Sequence, residues 1–279
     1  MKNLNPYPNP SRQVYRTAVD RKEDINLRAR LNAIEPAIGN QYDIYDDHFA
    51  VDTLGLLNHN PVFTPHRADI HSLYDYNSLT LREVKLEIEA RQSPAVRYTC
   101  QYCTLTRNES FDHYLPKEEF PEYALHTNNL VPCCKTCNGY KSFVWRAEDS
   151  RLFINHYIDI LPQTQYLFVE VMREANDELN FRFYLDNIGG IAADIYARIH
   201  THFTRLRLLE RMRMSAVNNI SELENTILSN LVHLSLAEAI DTVISTADRN
   251  RLAYGANYWK SILEGTLVQN DFFLRKFFP

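Results

Sequence analysis

No stretch of the 279-residue sequence carries the roughly 18 consecutive apolar residues that a bilayer-spanning helix needs, so no membrane span is expected. The opening MKNLNPYPNPSRQ is polar and proline-bearing where an export signal would be apolar. A soluble, cytoplasmic protein is the expectation. An excess of positive charge is missing too: 30 Lys and Arg against 35 Asp and Glu give a net charge of −5, which excludes a uniformly basic nucleic-acid coat. Any grip on nucleic acid must use a local basic surface, a metal or a partner. There is no internal repeat, no low-complexity tract, no Gly-rich phosphate loop and no Gly-x-Ser-x-Gly elbow. An ATP-driven activity would have to come from another chain, a regulatory or ATPase partner. What the composition does supply, 45% hydrophobic against 23% charged, is enough for a folded core rather than wholesale disorder.

Cysteine is absent everywhere except between Cys100 and Cys137, where all five lie. A secreted disulfide framework would spread its bridges across the fold, so clustered thiols point to a metal site. Cys100-Gln-Tyr-Cys103 and Cys134-Lys-Thr-Cys137 are two Cys-x2-Cys knuckles. Each turn aims two sulfurs at one ion, and two turns complete a tetrahedron suited to Zn²⁺. Zinc held this way contributes roughly 10–16 kcal/mol of apparent folding free energy in small modules. Cys133 is the spare; the x2 spacing assigns Cys134 as the ligand and leaves Cys133 to packing. A four-thiolate site is coordinatively closed, so this zinc is expected to be structural.

Three regions are expected: residues 1–95, partly helical; 96–150, the cysteine region; and 151–279, a hairpin followed by helices. Thr80 and Glu83 have capping-box spacing, with Leu81, Val84 and Ile88 recurring at helical intervals and Pro94 closing the run. The stretches 166–172 and 181–185 alternate around the turn-like Asn176-Asp177, with Val169 and Val171 on one face and Phe181, Phe183 and Leu185 on another. After Gly189-Gly190 a long helix is expected from Ile191 to about Met214, and Ser221/Glu224 and Ser235/Glu238 mark two further capped starts. The aromatic tail Asp271–Pro279 reads as folding back on its own core, with docking to a partner or a second copy, a homo-oligomer, as the alternative.

Between the knuckles stand Phe111-Asp112-His113-Tyr114-Leu115-Pro116 and Asn129-Leu130-Val131-Pro132, and the second knuckle continues as Asn138-Gly139-Tyr140-Lys141. This order resembles the zinc-ribbon form of the HNH (His-Asn-His, ββα-metal) endonuclease family, over about forty residues. The match of DHYLP followed by NLVPCC is also similar to bacterial HNH proteins that look like anti-phage nucleases. The resemblance implies an α+β fold: a small ββα-metal nuclease core with structural zinc, inside a mainly helical chain with an extra β-hairpin. It implies that Asp112 and Asn138 hold the catalytic metal, that His113 is the general base, that Asn129 holds the His113 loop, and that Lys141 sits near the phosphate. Many family members place a third His where this chain has Asn138.

The chemistry is coherent on its own terms. His113 can accept a proton at neutral pH, and neighbours on an extended segment point to opposite faces, so Asp112 and His113 can serve different partners. A carboxylate and an amide oxygen make a hard site suited to Mg²⁺ or Mn²⁺. Each residue also has a plainer reading. Asn129 could cap a turn, with Asn128 competing for its place, and Lys141 could be solvated. His126, without an adjacent acid, reads as a surface or loop histidine, and His200 and His202 fall on different faces of a helix. For nucleic-acid contact, Lys135, Lys141, Arg146 and Arg151 cluster at and after the second knuckle, while Arg205, Arg207, Arg211 and Arg213 decorate the long helix. The expectation is a metal-dependent endonuclease acting on DNA, with a part in bacterial anti-phage defence. The rivals are a non-catalytic zinc module that binds nucleic acid or a protein, and a nuclease acting on RNA.

Overall fold

The computed structural model describes residues 1–173 and 178–277, and the fold is α+β. Two compact units emerge, one of residues 3–102 and 106–160, the other of residues 1–2, 103–105 and 161 onward. No helix is long and apolar enough to cross a membrane among the described residues.

The first unit opens with helices α1 (Ser11–Asp20) and α2 (Ile25–Ala50). Asp24 starts α2 by accepting from the amides of Asn26 and Leu27. Leu31, Ile38, Tyr42 and Tyr45 form its buried stripe, and Glu35 gathers Arg12 and Arg16 of α1. A short α3 (Arg67–His71) leads to α4 (Leu79–Ala90). The cap of α4 differs from the sequence expectation. Ser78 Oγ accepts from the Leu81 amide, while Thr80 and Glu83 both turn to the Arg21 guanidinium. A long-range ion pair outcompetes the local box.

Strands β1 (Ser110–His113) and β2 (Leu130–Cys133) pair antiparallel, with Ser110 opposite Cys133 and His113 opposite Leu130. Helix α5 (Lys135–Lys141) follows at once, and the short strands β3 (Arg146–Ala147) and β4 (Ser150–Arg151) close the region. The two-stranded ladder is too small to be stable alone, so packing against its neighbours must carry it.

In the second unit, β5 (Leu167–Arg173) and β6 (Leu179–Leu185) form the expected hairpin; its turn, Asn176-Asp177, lies outside the described residues. The register sets Val169 opposite Phe183 and Val171 opposite Phe181. The two apolar sets therefore form one continuous face, which packs on α7 and α9. Helices α6 (Ala193–Arg205) and α7 (Leu208–Asn230) replace the single long helix expected from Ile191. The break falls at Arg207, whose φ of 53° leaves the helical region. Ser221 and Glu224 lie inside α7 and cap nothing; Glu224 instead pairs with Lys276. Helix α8 (Leu236–Tyr254) begins with the full Ser235/Glu238 capping box, and α9 (Trp259–Leu267) and α10 (Asp271–Leu274) complete the unit. Phe273 and Leu274 are buried, so the tail folds onto its own unit as far as it is described.

Candidate metal centre and catalytic site

The thiols of Cys100, Cys103, Cys134 and Cys137 lie within 4.8 Å of one another and all four are buried. Local hydrogen bonds shape both knuckles. The Leu105 amide donates to Cys103 Sγ, and the Cys137 amide donates to Cys134 Sγ, which is also the N-cap of α5. Four cysteines clustered in the absence of disulfides suit a metal ion such as zinc. Cys133, on β2, is turned away from this cluster and faces Ser110 Oγ at 3.4 Å.

Asp112 and His113 end β1, and alternation sends them to different surroundings. The Asp112 carboxylate is 2% exposed. Its Oδ2 accepts from the Tyr102 hydroxyl at 2.8 Å, and its Oδ1 accepts from Lys141 Nζ at 3.0 Å. Lys141 is wholly buried, donates also to the His113 carbonyl at 2.9 Å, and lies 5.8 Å from the ring centres of Tyr114 and Phe153. Lys141 thus joins both β1 site residues from the last turn of α5. Its charge is spent inside the fold rather than presented to solvent.

His113 Nε2 donates to the Ala124 carbonyl at 2.9 Å, and the ring stands edge-on to Tyr74. That bond fixes the tautomer and leaves Nδ1 with the lone pair. Burial pushes the imidazole pKa down to about 3, with the Ala124 bond opposing the shift. His113 is therefore a neutral base at ordinary pH.

Asn129 spans the loop that follows β1. Its Oδ1 accepts from the Leu115 amide at 2.7 Å, and its Nδ2 donates to the carbonyls of Leu115 and Tyr123. Tyr123 immediately precedes Ala124, so Asn129 ties the strand end to the carbonyl that holds His113. Asn128, the competing residue, points instead to Asp46. On α5, Asn138 is half-buried and its Nδ2 donates to the Phe111 carbonyl at 3.1 Å, turning the amide oxygen elsewhere.

The expected basic cluster does not assemble as one surface. Arg151 is buried, paired with Asp159 and Asp52 and bonded to the Tyr114 hydroxyl. Arg146 stacks on Trp145 and donates to the carbonyls of Gly55 and Leu57. Lys135 is the exposed member of the set. On the helical unit, Arg213 donates to the Phe181 carbonyl and Arg211 to that of Leu206. His126 also departs from its sequence reading: it is wholly buried, 4.1 Å from the Tyr45 ring and 4.7 Å from that of Tyr42, with Asp46 Oδ1 3.4 Å from Nε2. Sequence reasoning passed over Tyr102, Tyr74 and the Ala124 carbonyl. Tyr102 alone carried a usable signal, as a hydroxyl inside the first knuckle.

No family model matches the sequence and no solved structure does. Among curated proteins, Protein ea31 of Escherichia phage lambda is 25% identical over 195 residues, covering 63% of this chain and 63% of that protein. Septu protein PtuB of Bacillus thuringiensis is 38% identical over 47 residues, 15% of this chain and 18% of that protein. The chain thus spans under two thirds of the length of either relative.

Proposed function

We propose that the chain is a metal-dependent endonuclease of the HNH type that hydrolyses DNA phosphodiester bonds. One observation carries this reading: an imidazole whose Nε2–H is pinned to Ala124 and whose Nδ1 keeps its lone pair on a neutral ring, next in sequence to a carboxylate at the end of a β-hairpin. His113 Nδ1 takes the proton of a water molecule as the water oxygen bonds to phosphorus. The bond from phosphorus to the 3′ oxygen breaks, leaving 5′-phosphate and 3′-hydroxyl ends as in the family the chain resembles. Asn129 keeps Ala124 and the strand end in register so that the ring cannot turn. Lys141 acts as a positioning residue through Asp112 and the His113 carbonyl.

The donor set suits Mg²⁺ or Mn²⁺. A carboxylate offers about four lone-pair positions, of which Tyr102 and Lys141 take two at Asp112. With its Nδ2 committed to Phe111, Asn138 has Oδ1 left as a second oxygen donor. Such an ion supplies charge neutralisation at the phosphate and the leaving oxygen. The four-cysteine site, closed to substrate, braces α5 with zinc. The short match to Septu protein PtuB supports a place in bacterial defence.

Purified protein incubated with plasmid and Mg²⁺ or Mn²⁺ tests the reading beside His113→Ala. The variant is expected to lose about 10²–10⁴-fold in cleavage rate. Equal cleavage by both proteins would remove His113 from the mechanism. Absence of cleavage by the parent, on DNA and RNA alike, would favour a non-catalytic zinc module. The same assay run across pH adds a sharper criterion. His113 is depressed in the folded state, so it stays neutral as pH falls through about 6.5, the ordinary imidazole value. Below that value the unfolded chain binds the proton first, and the stability held at higher pH declines progressively down to about 3. The rate should therefore show no inflection near 6.5; one that disappears in His113→Ala would contradict the buried neutral base.

A further inference from the structure

Helices α8 and α9 pack together in the second unit, and between them lies a cleft of about 360 Å³. Asp248 and Arg251 reach it from α8, Ser261 and Gly265 from α9, while Ile244 and Ile262 give it an apolar flank. Three of its polar groups are unmatched. Ser261 is 2% exposed, yet its hydroxyl has no hydrogen-bond partner. Buried hydroxyls are nearly always satisfied, so one left over on a cleft wall marks a place for a polar ligand atom. The Arg251 guanidinium is held by two bonds, Nε donating to the Ala256 carbonyl and Nη2 to the Gln165 side chain, which leaves both Nη1 hydrogens uncommitted. Asp248, one turn earlier on the same helix, has no cation partner among the described residues, Arg251 included. Gly265 keeps the space open. Glycine is a poor helix former, and this one sits inside α9. A Cβ built there meets nothing within 4 Å, so close packing does not call for glycine and its side-chain position belongs to the cleft.

We infer that this cleft binds a small zwitterion of the amino-acid class, its carboxylate on Arg251, its ammonium on Asp248 and a polar atom on the Ser261 hydroxyl. The opposite charges decide the class. Side chains one turn apart on a helix are neighbours, about 5–6 Å apart at Cβ, so a ligand that meets one charge also feels the other. An anion alone, such as phosphate, gains from Arg251 and is repelled by Asp248; a cation alone meets the reverse. A neutral sugar leaves both charges unmatched. A molecule with carboxylate and ammonium on one carbon satisfies both, and its side chain lies against Ile244 and Ile262. The inference is independent of the nuclease reading, since every residue it uses belongs to the second unit.

The test titrates the full-length protein with each of the common L-amino acids, and with inorganic phosphate, by isothermal titration calorimetry. At least one amino acid is expected to bind with a dissociation constant of about 1 mM or tighter. Its N-acetyl derivative, which lacks the ammonium, and its methyl ester, which lacks the carboxylate, should each bind about tenfold more weakly, the effect of losing one charge-assisted hydrogen bond. Asp248→Asn should weaken binding of the amino acid by a similar factor. Gly265→Met, which fills the cleft, is expected to abolish binding while keeping or raising the urea midpoint, because methionine is the better helix former. Ser261→Ala separates a ligand contact from a structural one. A hydroxyl without a partner in the fold can be removed with the urea midpoint unchanged or raised, while binding weakens. The inference is overturned if no amino acid binds, if phosphate binds in their place, or if either derivative binds as tightly as its parent amino acid. It is equally overturned if Gly265→Met binds like the unaltered protein, or if Ser261→Ala lowers the midpoint, which would show the hydroxyl satisfied within the fold.

Discussion

The two compact units are built on opposite economies of charge. Among the described residues, the buried Asp, Glu, His, Lys and Arg side chains of the first unit are Glu89, Asp112, His113, Glu122, His126, Lys141, Arg151, His156 and Asp159, whereas the second unit buries His202 of these types. The second unit is ordinary packing: one apolar face of a hairpin on α7 and α9, with exposed ion pairs around it. The first unit takes charges out of water and matches each pair by geometry, Lys141 to Asp112 and Arg151 to Asp159. Buried pairs are poor stabilisers, because desolvation consumes most of the Coulombic gain. Lys141 bonds both Asp112 and the His113 carbonyl, and Arg151 bonds the Tyr114 hydroxyl, so both pairs tie into residues 112–114.

Three perturbations probe that contrast. The largest should come from the metal. Chelation, or Cys134→Ser, is expected to remove bound zinc and unfold the cysteine region, forfeiting roughly 10–16 kcal/mol of apparent folding free energy, while the ellipticity of α6 to α9 persists. Cys133→Ser should keep its zinc; metal analysis showing loss from Cys133→Ser and retention in Cys134→Ser would reverse the ligand assignment. Next in size is Lys141→Met, which strands the Asp112 carboxylate in the interior and is expected to cost about 3–5 kcal/mol in urea unfolding. A cost below about 1 kcal/mol, the range of an exposed pair, would mean that Asp112 and Lys141 do not form the pair that distinguishes this unit. The smallest belongs to the helical unit: Ser235→Ala removes the cap of α8 and should cost about 1 kcal/mol by the same measurement. A Ser235→Ala effect as large as that of Lys141→Met would erase the distinction between the units.

The site was legible in part. Knuckle spacing, the Asp112-His113 pair and Asn138 after the second knuckle are local patterns, and the structure places the first knuckle in the turn before β1, the pair at the end of β1, and the second knuckle with Asn138 at and in the helix after β2. The fates of the basic residues were not legible. Lys135 and Lys141 look alike in sequence, but one faces solvent and the other reaches Asp112, 29 positions back. His126 lacked a local partner because its neighbours, Tyr42, Tyr45 and Asp46, lie on α2 about eighty positions earlier.

The sequence by itself determined the features whose partners lie within one turn or one strand: two sulfur-bearing turns, the Ser235/Glu238 cap, and an alternation that makes β5 and β6 a hairpin. Tertiary structure alone decided where α4 starts, where α6 breaks from α7, and which charges are spent inside the fold. The physical reason is range. A capping hydrogen bond or an i, i+3 thiol pair is complete within a few residues, whereas the cost or value of a buried charge depends on a partner that only folding brings near.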